Sequence, residues 1–468
     1  MKPGFYISPG LLRVAGPLLA LGACQIDVEA PPEGPRNASP VPSSSNWDDD
    51  HSHPDRGYDD PDPPRVDDGY ERDEDDAEDR RPWWKYRDLI AIDPELVQGE
   101  PASNANPEAT LSFRAQMQWL AGASGDAAAF THGWLEQWAT LASVGPDLAP
   151  VTPRPAVREL LIEPWLYGGA TPAAAPDAGY AEPGPVEPGP VTASWERAPF
   201  RLIAVVNRVD LADDACSGFA GELRYVYAAY DVATERDLDM TVIIEIPYPS
   251  TPPASFWARA WSELAQWSPG DAYAAEFEAM VRDVMREADP LRVRVRTNEI
   301  ALAEGTGGTA SWEMREFQVR VVDRQLALVQ VPLEFTPRAD VAPAALSEHV
   351  LLASDPLRTG AVPLPAPLRA GAAQLPTADF SWPVLGVSES LRRAFSAQTC
   401  NGCHGGDSAT LPFQHIAPGA SPASRARLSR FLYDPGAESD ELRRRAARAT
   451  TLGQTACDPP TPPVPYGS

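Results

Sequence analysis

Lysine is nearly missing from this chain. Of 468 residues only Lys2 and Lys85 are lysine, and arginine supplies the rest of the 39 basic residues. A Gly-x-x-x-x-Gly-Lys-Ser/Thr phosphate loop is therefore excluded. With it goes a guanine-nucleotide reading of Asn207-Arg208-Val209-Asp210, which follows a hydrophobic run as such a motif would. Histidine is scarce as well: there are six, and two of them, His51 and His53, sit in an acidic stretch. Neither a His-Glu-x-x-His zinc motif nor a Gly-x-Ser-x-Gly elbow occurs. No basic stripe points to nucleic acid, and the formal charge is −27. No segment is apolar for the roughly 20 residues that a membrane-spanning helix needs.

Acid and proline are abundant instead. Asp48 to Asp79 holds 16 acidic and 3 basic residues, a net of −13, about half of the chain's excess. The low pI is thus largely a property of one stretch. Residues 24–82, rich in Pro, Ser and Asp, cannot bury enough apolar area to offset the entropy of ordering, which predicts a disordered tether. A Pro/Gly-rich stretch near 168–190 carries a tandem Glu-Pro-Gly-Pro-Val and reads as an extended insertion. Residues 458–468 form a Pro-rich tail.

Lys2 and Arg13 precede an apolar run from Val14 to Ala23, which ends in Leu21-Gly22-Ala23-Cys24. This resembles the signal peptide and lipobox of bacterial lipoproteins. The resemblance implies loss of residues 1–23, a lipid on Cys24 and the membrane as a partner through that lipid. It places the protein in the bacterial cell envelope, at the outer membrane or a periplasm-facing membrane.

Residues 83–385 read as an α+β body with a helical N-terminal part and a mixed or antiparallel sheet. Phe113, Met117 and Leu120 fall on one helical face, as do Phe130, Trp134 and Trp138. Arg201 to Leu211 is the densest strand signal, suited to a central strand covered on both faces. Leu223–Tyr230 and Met240–Ile246 read as further strands, Phe256–Trp267 and Tyr273–Met285 as helices. Trp312–Val322 and Leu326–Phe335 read as a hairpin turning at Asp323-Arg324. Arg208, Asp210, Glu222 and Arg224 stand at the ends of buried strands, as an ion-pair network or a pocket wall.

Residues 386–457 hold the sharpest motif, Cys400-Asn401-Gly402-Cys403-His404, in the order Cys-x-x-Cys-His. Ser388 is suited to cap a helix that carries Leu391 and Phe395 on one face and runs into the motif. This segment resembles the cytochrome c family. The resemblance implies a small helical unit with a covalent haem c, joined to Cys400 and Cys403 and ligated by His404 on the proximal side. No methionine follows the motif, the last being Met314, so His415 is the natural distal ligand. His349 is a weaker candidate, and a five-coordinate iron is a further arrangement. Pro412 or Pro418 would offer the carbonyl that orients His404. Ser424–Leu432 and Ser439–Ala449 read as short helices, with Arg443, Arg444, Arg445 and Arg448 on a solvated face, or else paired with haem propionates or the acidic body.

Cys216 and Cys457 remain, free to pair in an oxidising compartment or to stay as separate buried thiols. The expected function is electron transfer or haem-based sensing with a redox partner protein, without nucleotide or nucleic acid, and not as an enzyme. Two haem-free readings stand beside it. One is a structural or binding lipoprotein with a Cys400–Cys403 disulfide. The other is a zinc site built from Cys400, Cys403, His404 or His415, and Cys457.

Overall fold

The computed structural model describes residues 85–457, apart from 124, 168–192, 232–233, 269, 300–311, 360–361, 375–379, 406–413, 422–423 and 435–440. Cys24, the tether, the Pro/Gly-rich insertion, Pro412 and the tail lie outside the described residues. Among those described, no helix is long and apolar enough to cross a membrane.

The α+β class holds, and every pairing of the main sheet is antiparallel. Its eight strands are β1 (Ile90–Ala91), β2 (Phe200–Arg208), β3 (Glu222–Asp231), β4 (Arg236–Pro247), β5 (Arg294–Glu299), β6 (Glu313–Val322), β7 (Gln325–Val331) and β8 (Ala373–Gln374). They are ordered β1-β2-β3-β4-β5-β6-β8, with β7 also paired to β6. The β6–β7 hairpin turns at Asp323 and Arg324, both at positive φ (49° and 68°), the twist that suits a two-residue connection.

Side chains alternate across the pleat, so each strand gives one set to each face. Tyr225, Tyr227, Ile244 and Phe317 face the main core. There Phe113 of α1 (Phe113–Ala121) meets Tyr227 edge-on at 5.6 Å, and Trp138 stacks on Phe317 at 4.8 Å. The helix carrying Phe130 and Trp134, α2 (Ala127–Leu135), stops before Trp138. Trp138 sits on the next short turn and still meets Trp134 at 5.5 Å. Two amphipathic helices, α3 (Ala254–Leu264) and α4 (Asp271–Glu287), bury Trp261 and Phe277 against each other.

The opposite face is covered by the C-terminal segment. Helix α5 (Pro343–Leu352) leads to α6 (Glu389–Gln398), capped by Ser388 Oγ accepting from the Leu391 N–H at 3.3 Å. The one-turn α7 (Cys400–Cys403) follows directly. Ser424–Leu432, expected as a helix, instead contains β10 (Arg427–Leu428), paired with β9 (Ile416–Ala417). The returning strand offers backbone partners that a helix would forgo: Ser429 N–H donates to the His415 carbonyl at 2.9 Å. The last element, α8 (Glu441–Gln454), buries Leu442, Ala449 and Leu452 in the main core beside α3. A disulfide joins Cys457 to Cys216, with Cα atoms 5.4 Å apart and a sequence separation of 241.

Candidate haem or metal site

Local bonds fix the Cys-x-x-Cys-His turn before any ligand is considered. Thr399 caps α7: its Oγ1 accepts from the Gly402 N–H at 3.0 Å, donates to the Ser396 carbonyl at 2.7 Å and receives Trp382 Nε1 at 2.8 Å. The Cys400 N–H donates to Thr336 Oγ1 at 3.0 Å, and Asn401 Nδ2 donates to the Gln374 carbonyl on β8. Gly402 is needed for close approach, since a Cβ there would stand 2.1 Å from the Ser396 carbonyl oxygen. The motif is thereby clamped between α6 and the sheet edge.

His404 is 6% exposed and lies in a column of four rings. Trp312 stacks on one side of it at 5.2 Å and His415 on the other at 4.2 Å, and His415 continues onto Phe431 at 4.6 Å. Trp312 Nε1 donates to Asn298 Oδ1 at 2.6 Å, which anchors the column to β5. His415 Nδ1 meets Ser429 Oγ at 3.2 Å and its Nε2 lies 3.5 Å from Cys403 Sγ. Burial, reinforced by the nearby His404, Arg445, Arg208 and Arg224, holds the His415 imidazole well below its ordinary pKa, so it is neutral at pH 7.

The motif borders a cavity of about 110 Å³ between the C-terminal segment and the sheet. Cys400, Cys403, His404 and His415 line it together with Met314 of β6. Cys400 is a free thiol, whereas the Cys403 sulfur is held in a disulfide with a cysteine other than Cys400, so no local bridge between the two is closed. Burial pushes the Cys400 thiol up, against Arg296 and the Thr336 hydroxyl.

The cavity floor is a row of charges. Arg224 of β3 pairs with Glu222 and, at 3.2 Å, with Glu245 of β4. Glu245 pairs with Arg296 of β5 at 3.1 Å, and Arg296 with Glu316 of β6 at 3.2 Å. Glu316 passes the chain to Arg294 at 3.5 Å, and Arg294 to Glu334 at 3.2 Å. Burial alone would raise the Glu245 carboxyl, but Arg224, Arg296 and Arg294 outweigh it and hold it below its usual value. The strand-end charges Arg208, Asp210, Glu222 and Arg224 are thus both an ion-pair network and, through Arg208 and Arg224, a cavity wall.

Several sequence-derived positions move. His415 does return to His404, but its ring lies nearly parallel at 4.2 Å, leaving no gap for a porphyrin between the two imidazoles. His349 lies on α5, away from the cavity lining. The Pro418 carbonyl accepts from Arg427 Nε at 3.0 Å. Arg445 is not on a solvated face: it is 7% exposed and lines the cavity. Met314 was not among the distal candidates; β6 brings it to the cavity from upstream of the motif. Its alternation with Glu316 on one strand face was the available signal.

No protein-family model, curated protein or solved structure matches the chain.

Proposed function

We propose that the cavity holds one covalent haem, attached through Cys400 and Cys403 with His404 as its proximal ligand, in an exported, lipid-anchored electron-transfer or haem-sensing protein of the bacterial envelope. One observation carries this reading: the Cys-x-x-Cys-His turn opens onto a cavity that Cys400, Cys403, His404 and the Met314 thioether line together. Cys400 has a free thiol on the cavity lining and His404 is held by ring stacking in one orientation, while attachment at Cys403 requires its disulfide to be opened first. Met314, and not the stacked His415, is then the second donor suited to iron.

Bound haem would supply one-electron chemistry. The chain's own residues orient the imidazole through Trp312, exclude water by closing α8 and β10 over the sheet, and balance buried charge through the Arg–Glu row. The envelope location rests on the lipobox with Cys24, and the Cys216–Cys457 disulfide accords with an oxidising compartment.

The test is a pyridine haemochrome spectrum on the denatured full chain, expressed with c-type maturation. Haem that survives denaturation and is absent from Cys400→Ala/Cys403→Ala is the expected result. A colourless chain beside a normally matured control cytochrome overturns the reading.

A second reading has its own observation. Cys403 Sγ and imidazole nitrogens of His404 and His415 lie within 4.8 Å of one another, a donor set suited to zinc once the Cys403 disulfide is reduced. Metal analysis of the haem-free chain, with and without His415→Ala, separates the two.

A further inference from the structure

Arg208 and Arg445 both line the cavity where the short helical turn Val209–Leu211 after β2 packs against α8. Arg208 is 2% exposed and Arg445 7%, and both line the cavity wall. Arg208 bonds Asp210 through Nε at 2.9 Å and Nη2 at 3.0 Å. Arg445 bonds Glu441 through Nε at 2.8 Å. Their remaining guanidinium nitrogens make no hydrogen bond among the described residues. A guanidinium carries five N–H donors in a fixed fork that matches a carboxylate.

Two arginines in one buried wall repel each other. Burial first, and then the charge of Arg208, bring Arg445 down to about 10, against the pull of Glu441 and Asp210. The acids that face the pair from every packed element are Asp210 after β2, Glu222 on β3 and Glu441 on α8. They lie behind the guanidiniums and outside the cavity lining. The lining itself carries Arg208, Arg224, Arg296 and Arg445 against Glu245, Glu316 and Glu334, a net of +1 in a chain of −27.

We propose that Arg208 and Arg445 form a carboxylate-binding end of the cavity, so that the molecule occupying it carries a carboxylate. The carboxylate belongs either to a porphyrin propionate or to a free organic acid. The proposal rests on the haem reading only for which of these it is.

The experiment uses the full chain with Cys400→Ala/Cys403→Ala, which removes covalent attachment. Binding of haemin, of its dimethyl ester and of succinate is measured with Arg445 intact, with Arg445→Gln and with Arg208→Lys. Retained thermal unfolding and an intact Cys216–Cys457 disulfide certify each fold. Haemin binding on the order of tenfold tighter than its ester, with the difference lost in Arg445→Gln and reduced in Arg208→Lys, supports the porphyrin source. Succinate binding that Arg445→Gln abolishes, without haemin binding, supports a free acid and removes the haem reading alone. Equal binding of haemin and ester overturns the carboxylate end while haem stands, and no binding of any probe overturns it outright.

Discussion

His404 and His415 lie face to face, ring centroids 4.2 Å apart and planes 29° from parallel. Rings so placed share one side of any cofactor instead of enclosing it. In the haem-loaded chain, His415→Ala therefore leaves the haemochrome yield unchanged and His404→Ala changes the ferric spectrum. An optical spectrum of each variant decides the matter: a large change in axial ligation on losing His415 would contradict the stacked geometry.

Gly402→Ala tests the clamp between α6 and α7. The added Cβ would stand 2.1 Å from the Ser396 carbonyl oxygen and 2.2 Å from its hydroxyl oxygen. Backbone on one side cannot swing away, so the turn must shift, at about 1–3 kcal/mol. Thermal unfolding should show the loss, and haem incorporation should drop with it.

Glu245 is the shared acid of the floor, paired with both Arg224 and Arg296. Glu245→Leu would leave Arg224 with Glu222 alone and Arg296 with Glu316 alone, which should destabilise by less than the roughly 3–5 kcal/mol of an uncompensated buried charge. A urea midpoint that falls with m unchanged is the expected signature, and an unaltered midpoint would show that the row is dispensable.

A separate buried cluster sets a pH dependence. Arg154 Nε lies 3.0 Å from Glu299 and 3.2 Å from Glu313, and Arg315 Nε meets Glu313 at 2.5 Å, with all four side chains at 0–2% exposure. Burial pushes the Glu299 carboxyl up to about 8, against Arg154 and with help from Glu313. Its folded pKa lies above the unfolded value of about 4.3, so the folded state keeps a proton that the unfolded chain has lost. This contribution to stability is present below about pH 4.3 and is lost as pH rises towards 8. Unfolding measured across that window should flatten in Glu299→Gln; an unchanged slope would show that the proton resides elsewhere.

Cys216→Ser/Cys457→Ser should lower stability by about 2–5 kcal/mol through release of a long loop in the unfolded chain. Denaturant unfolding with and without reductant should give the same difference in the native chain and none in the double variant.

The sheet was largely legible in the sequence, and the site only in part. Dense apolar runs marked β2, β3 and β4 because burial on both faces leaves little else that those strands can be. Ser388 and Asp323-Arg324 were readable because caps and tight turns are decided by neighbours in the chain. The Arg–Glu row was not, since Arg224, Glu245, Arg296 and Glu316 come from four strands, and their encounter depends on register. Arg445 was misplaced for a related reason: its helix shows a polar face, and only packing against Arg208 reveals that this face is enclosed. The column of Trp312, His404, His415 and Phe431 likewise spans 120 residues of sequence, beyond the reach of any local pattern.

The bond between Cys216 and Cys457 makes a closed covalent ring of the intervening chain, which includes β3 to β8, the Cys-x-x-Cys-His turn and α8. One backbone cut anywhere inside that ring leaves a single molecule, and two fragments separate only after reduction. A protease reaching an exposed loop of the sheet would thus nick this protein without freeing the segment that bears Cys400, Cys403 and His404.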